Sequence, residues 1–286
     1  MAHFKTLDGC RIEYTLHTAR QANSEKSVPC LALIHSLAMD GTMWDGVVRE
    51  LADEANVLTY DCRGHGKSDK PAGPYTVEQF ADDLAELFHH IEWTSAAVAG
   101  CSMGGCVTQA FAGLHPARAT ALGLIDTTAW YGAEAPAQWR ERAENVRKKG
   151  FDGAIDFQTT RWFGDKFRAE NPAIVQASAE VFMANEIEAY ASTCAMLGAA
   201  DVRHMLAGFK MPVAVIVGEE DYATPVAMAQ QMKDAIAGAT LTVLPAARHL
   251  TPIESPDRIA RELRDLFQRM DSLLIAKELL RRRVTP

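Results

Sequence analysis

The octapeptide Val98-Ala99-Gly100-Cys101-Ser102-Met103-Gly104-Gly105 constrains the fold more than any other stretch of this 286-residue chain. An apolar run, Ser95 to Ala99, meets a Gly-x-Ser-x-Gly pentapeptide, and a helix-compatible run from Cys106 to Leu114 follows. Strand, tight turn and helix in that order force the central residue into a strained backbone conformation, with Gly100, Gly104 and Gly105 letting neighbouring backbone approach. The pattern predicts that Ser102 is lifted above a sheet edge at a helix N-terminus, whose unpaired N–H groups favour a developing negative charge. Such pentapeptides also arise by chance, so the rest of the chain must decide between a nucleophile and a glycine-rich turn.

The remaining periodicity places that turn in a layered fold. Asp8-Gly9 between Phe4–Thr6 and Arg11–Leu16 is a hairpin signal, predicting an antiparallel edge. A polar stretch, Thr18 to Ser27, then leads to Val28–Ile34, an unbroken apolar run suited to a strand buried on both faces. Similar runs recur at Asn56–Tyr60, Ala121–Ile125, Val213–Val217 and Leu241–Leu244, separated by helical patterns. Thr76-Val77-Glu78-Gln79 forms a capping box, and Val77, Phe80, Leu84, Leu87 and Phe88 trace one face of the helix it starts. Alternating strands and helices predict an α/β fold, a mainly parallel, doubly wound sheet. From Thr127 to about Gly208 the strand signal lapses and helical runs take over, so the chain divides into a core (1–126 and 209–268), a helical cap (127–208) and a tail (269–286). The tail, with Leu273, Leu274, Ile275, Leu279 and Leu280 before three arginines, could extend the last helix, meet a partner subunit or fray.

Composition excludes several classes. An apolar content of 48% suffices for a full core, and a net charge of −8 disfavours nucleic acid and anionic membranes as partners. The N-terminus lacks an apolar signal core and no run is long enough to span a bilayer, which leads us to expect a cytoplasmic protein without a membrane partner. Six scattered cysteines have neither C-x-x-C nor metal-ligand spacing; we read Cys101 and Cys106 as packing residues and expect no metal. The loop Asp61–Asp69, with glycines on either side of His65, lacks the spacing of a phosphate cradle and is read as structural.

In sheets of this kind sites form at the carboxyl ends of strands, where His35, Asp61, Ser102, Asp126, Asp221 and His249 all fall. A serine hydroxyl is a weak nucleophile that needs a base, and a carboxylate fixes the tautomer of a histidine base. Ser102, Asp221 and His249 are the expected catalytic residues, with Asp126 an alternative acid. The backbone N–H groups of Met103, next to the nucleophile, and Leu37, after the third strand, are the expected oxyanion donors.

The Gly-Cys-Ser-Met-Gly-Gly turn, the Asp-x-Arg-Gly-His-Gly-x-Ser loop at 61–68 and the order serine, acid, histidine resemble the α/β-hydrolase family over residues 4 to 268. Ser36-Leu37, Met43-Trp44-Asp45, Lys70–Thr76, Arg161-Trp162-Phe163, Asn171-Pro172, Tyr190 with Cys194, and Glu220–Pro225 are similar to the 3-oxoadipate enol-lactonase group. His35 and Cys101 depart from that group, as does Thr127–Gly132, which replaces a lysine-bearing segment. The resemblance implies an α/β-hydrolase fold with a helical cap, ester or lactone hydrolysis in aromatic-compound degradation through the β-ketoadipate pathway, and no cofactor. The partner is then a small-molecule ester or lactone, with a homo-oligomer left open. A carboxylesterase, another lactonase, a carbon–carbon hydrolase and a non-catalytic receptor on the same fold are the alternatives. A carboxylate on the substrate would need a cation, for which Arg161 is the candidate by charge and position, unless it pairs with Asp165. Trp162, Trp130 and Tyr190 are the aromatic candidates for the same pocket.

Overall fold

Continuous apolar runs become the buried centre of a sheet because a strand covered on both faces has no use for alternation. In the computed structural model, which describes residues 1–20 and 28–284, they assemble one eight-stranded sheet in the order β1-β2-β4-β3-β5-β6-β7-β8. The strands are β1 (Ala2–Lys5), β2 (Arg11–His17), β3 (Cys30–Ile34), β4 (Asn56–Tyr60), β5 (Ala96–Cys101), β6 (Ala119–Ile125), β7 (Val213–Gly218) and β8 (Thr240–Leu244). β2 pairs antiparallel with β1 and β4, and the pairs from β4 to β8 are parallel. Gln21 to Ser27, part of the polar stretch noted above, lie outside the described residues.

Helices cover the sheet: α1 (Asp45–Leu51), α2 (Val77–His90), α3 (Met103–Leu114), α10 (Val226–Ala235), α11 (Thr251–Glu254) and α12 (Pro256–Val284) accompany the strands. Between β6 and β7 stand α4 (Ala135–Lys149), α5 (Ile155–Trp162), α6 (Asp165–Glu170), α7 (Pro172–Met183), α8 (Ile187–Ala199) and α9 (Arg203–Leu206). The Thr76 hydroxyl accepts from Gln79 N at 3.1 Å, closing the first turn of α2. α12 continues through Val284, so the tail prolongs the last helix, with Ile275 exposed. The side chains of Leu274, Leu279 and Leu280 and of the three arginines lie outside the described residues.

Most strand ends shift by one or two residues from the expected ones, and two boundary shifts have a local cause. β3 starts at Cys30 because Pro29 has no N–H to give to a ladder. α3 starts at Met103, not Cys106, because the turn is the single residue Ser102 and the glycines that weaken helix propensity at 104 and 105 belong to the helix.

Candidate active site

Those glycines are dictated by proximity. A methyl group on Gly100 would stand 2.1 Å from the Gly104 carbonyl oxygen, one on Gly104 2.2 Å from the Ile34 carbonyl oxygen, and one on Gly105 2.4 Å from the Thr127 side chain. The helix therefore seats directly on the ends of β3 and β6. Ser102 pays with φ 55° and ψ −114°, a left-handed conformation that a side chain adopts only under constraint.

The structure brings Ser102, His249 and Asp221 together from three separate strand ends. His249 Nε2 lies 2.9 Å from Ser102 Oγ, and His249 Nδ1 lies 2.8 Å from Asp221 Oδ2. All three residues are buried. Asp221 also accepts from Ala223 N (2.7 Å), Thr224 N (3.0 Å) and Thr224 Oγ1 (2.8 Å). Burial alone would raise its carboxyl, but the His249 charge and these hydrogen bonds outweigh it and hold the group below the usual range. Ionised Asp221 thus accepts the hydrogen bond from His249 Nδ1–H, which leaves Nε2 as the acceptor for the serine hydroxyl.

Asp126, the other acid at a strand end, is turned away from the histidine. Its Oδ1 accepts from Gly218 N (3.0 Å), and its Oδ2 accepts from Thr251 N (3.0 Å) and meets Thr251 Oγ1 (2.6 Å). It ties β6 to the loops that carry Asp221 and His249. The other two histidines near these strand ends are held by backbone: His35 Nδ1 donates to Ser36 O and its Nε2 accepts from Cys62 N, and His65, in the loop after β4, donates from Nδ1 to Arg63 O while its Nε2 is buried without a partner among the described residues. Asp61 accepts from Gly41 N and Lys67 N, a loop-holding role. Burial raises the thiols of Cys101 and Cys106, which keeps them protonated.

The N–H of Leu37 and that of Met103, in the first turn of α3, have no hydrogen-bond acceptor among the described residues. Leu37 borders a narrow cavity of ≈ 20 Å³ shared with Ser102 and His249. That cavity and a wider pocket of ≈ 510 Å³ have Tyr131, Trp139, Arg142, Gln158, Arg161 and Ala223 in common. The cap helices α4 and α5 supply four of these six.

The other candidates divide. Arg161 and Trp162 border the inner cavity, and Tyr190 borders the wider pocket, where its hydroxyl accepts from Arg142 Nε at 2.7 Å. Trp130 is not brought there: Arg203 covers its ring at 3.7 Å, and its backbone bridges to Asp201. Asp165 does not pair with Arg161 but with Arg168 and Arg248. Among the described residues neither Arg142 nor Arg161 forms an ion pair with a carboxylate. Burial, then the neighbouring Arg142 charge, press Arg161 below its usual pKa, against Asp221. Arg142 and Gln158 escape sequence reasoning because a lone polar residue on a cap helix looks like any solvated position until the helix is docked.

The cap is fastened to the histidine loop. The Trp162 carbonyl accepts from both His249 N and Leu250 N at 3.1 Å, and Arg248 Nη1 donates to Thr160 O (2.7 Å) and Phe163 O (3.1 Å). The segment that presents Arg161 therefore also sets the backbone of His249.

Among known proteins, residues 31–262 match the model of the alpha/beta hydrolase family. The 3-oxoadipate enol-lactonase 2 of Acinetobacter baylyi is 34% identical over 270 residues, covering 94% of this chain and 98% of the relative. The crystal structure of the enol-lactonase from Burkholderia xenovorans superposes with a TM-score of 0.87 at 32% identity, covering 93% of this chain and all (100%) of the other. A malate-bound thermophilic esterase from Thermogutta terrifontis gives 0.85 at 27% identity, covering 94% and 99% of the two chains.

Proposed function

We propose, from the premise that this chain belongs to the alpha/beta hydrolase family, that it is a serine hydrolase cleaving a carboxylic ester or lactone through an acyl-enzyme. The observation that carries this reading is the buried relay from Asp221 through His249 to Ser102, at 2.8 and 2.9 Å, beside two unbonded backbone N–H groups. His249 Nε2 takes the Ser102 proton as Oγ attacks the carbonyl carbon, and the Leu37 and Met103 N–H groups receive the oxyanion. The carbonyl–oxygen bond then breaks, the leaving oxygen takes the proton from His249, and water repeats the sequence to release the acid.

Within that class we favour 3-oxoadipate enol-lactone, and with it a place in aromatic-compound degradation by the β-ketoadipate pathway in the cytoplasm. Support comes from the enol-lactonase relatives and from the pocket itself. Arg142 and Arg161, two guanidinium groups unpaired with carboxylates among the described residues, suit a substrate that carries its own carboxylate. An enol-lactone also resists reclosure, because the released enol becomes a ketone and loses the nucleophile needed for reversal.

The test compares wild type with Ser102→Ala on 3-oxoadipate enol-lactone and on p-nitrophenyl acetate. Fast lactone turnover that vanishes in the variant is expected. Rapid ester turnover with negligible lactone turnover would replace the lactonase reading by that of a carboxylesterase.

A further inference from the structure

One polar side chain bordering the cavity has no use in the relay and no hydrogen-bond partner among the described residues. Gln158 is 3% exposed, yet its Oε1 is buried without a hydrogen-bond donor, and its carboxamide makes no hydrogen bond among the described residues. A buried amide left unsatisfied costs about 1–3 kcal/mol, so an apolar residue would serve the fold better. Helix α5 directs Gln158, Arg161 and Trp162, at i, i+3 and i+4, to one face, and all three border the cavity that contains Ser102 and His249. The two arginines can bring only N–H donors to that space. Gln158 Oε1 is an unsatisfied acceptor in the same lining.

We propose that Gln158 is a substrate-contacting, specificity-determining residue whose carboxamide oxygen receives the hydroxyl formed on the leaving oxygen when a lactone ring opens. The inference rests on the acyl-enzyme reading above. When the acyl carbon–oxygen bond breaks, the electron pair stays on the leaving oxygen, which takes the proton held on His249 Nε2 and becomes a hydroxyl. In a lactone this hydroxyl remains tethered within reach of the acyl-enzyme carbonyl. Donation to Gln158 Oε1 satisfies the orphaned acceptor and turns the enol hydroxyl away from the carbonyl that it can re-attack until it becomes a ketone. A p-nitrophenyl ester expels a free phenolate and makes no such demand.

The experiment measures kcat/KM for 3-oxoadipate enol-lactone and p-nitrophenyl acetate, together with Tm, in wild type, Gln158→Met and Gln158→Leu. The expected result is a 10- to 100-fold loss on the lactone, less than threefold on the acetate, and a Tm equal to or above that of wild type in at least one variant. Equal losses on both substrates, an unchanged lactone rate, or a Tm lowered by several degrees in both variants would each overturn the proposal, the last by marking Gln158 as structural. A wild type that leaves the lactone intact overturns the proposal together with the lactonase reading, whereas an active wild type with unaltered variants overturns the proposal alone.

Discussion

Asp221 Oδ2 stands 2.8 Å from His249 Nδ1, while Asp126, the other acid at a neighbouring strand end, gives its oxygens to Gly218 and Thr251. Geometry thus divides two residues of the same type into a partner for the histidine and a clamp for the loops around it. Asp221→Asn should lower kcat by about 10⁴-fold, the scale of losing the correct imidazole tautomer. Asp126→Asn should stay within tenfold of wild type in steady-state ester hydrolysis. The reverse order of effects would exchange the two roles.

The same clamp predicts a pH dependence of stability. Burial first, and the Asp221 charge second, raise the Asp126 carboxyl well above the usual range, against hydrogen bonds from Thr251 and Gly218. Because the folded-state pKa is raised, the folded protein binds a proton that the unfolded chain releases. The contribution is fully present below the unfolded value of about 3.9 and falls as pH rises toward the folded value, by up to about 1.4 kcal/mol per pH unit. Asp126→Asn removes the titration, so the stability of wild type relative to the variant, from urea unfolding, should decline between pH 5 and pH 7. A constant difference would place the Asp126 pKa in the ordinary range.

Backbone strain at Ser102 separates function from stability. Ser102→Ala and Ser102→Gly should both lose roughly 10⁴- to 10⁶-fold in kcat. Only glycine relieves the φ of 55°, and strain relief less the entropy of a freer unfolded chain leaves about 1 kcal/mol. Ser102→Gly should therefore melt a few degrees above Ser102→Ala by calorimetry, and equal Tm values would refute the strain.

Electrostatics in the pocket should appear in selectivity. Replacing Arg142 or Arg161 by methionine should raise KM for a carboxylate-bearing ester by about 10- to 100-fold, the scale of a charge-assisted hydrogen bond, with a neutral acetate ester little affected. Equal effects on charged and neutral esters would mean that the arginines hold the cap and not the substrate.

Packing under the turn leaves no room for growth. Gly104→Ala puts its methyl group 2.2 Å from the Ile34 carbonyl oxygen, a backbone atom that cannot rotate aside. A loss of about 3 kcal/mol or more is expected in urea unfolding, with a fall in Ser102 labelling by a fluorophosphonate. A variant of native stability would show that α3 can slide on the sheet.

The architecture was legible in the sequence because strand and helix periods are local, and the close approach around Ser102 leaves glycines at 100, 104 and 105. The same locality placed Ser102, Asp126, Asp221 and His249 at strand ends and favoured Asp221 over Asp126 by chain order, while the hydrogen bond that separates the two acids depends on loops that meet only in three dimensions. Trp130 and Trp162 read alike as cap aromatics, yet Arg203 covers one and the other borders the cavity. Arg142 and Gln158 lie 40 and 56 positions beyond Ser102 and carry no periodic signal, so only the docking of α4 and α5 over the sheet gives them a place beside it. Hydrophobic periodicity records which face of an element is buried; the identity of what it is buried against is a property of the packed helices.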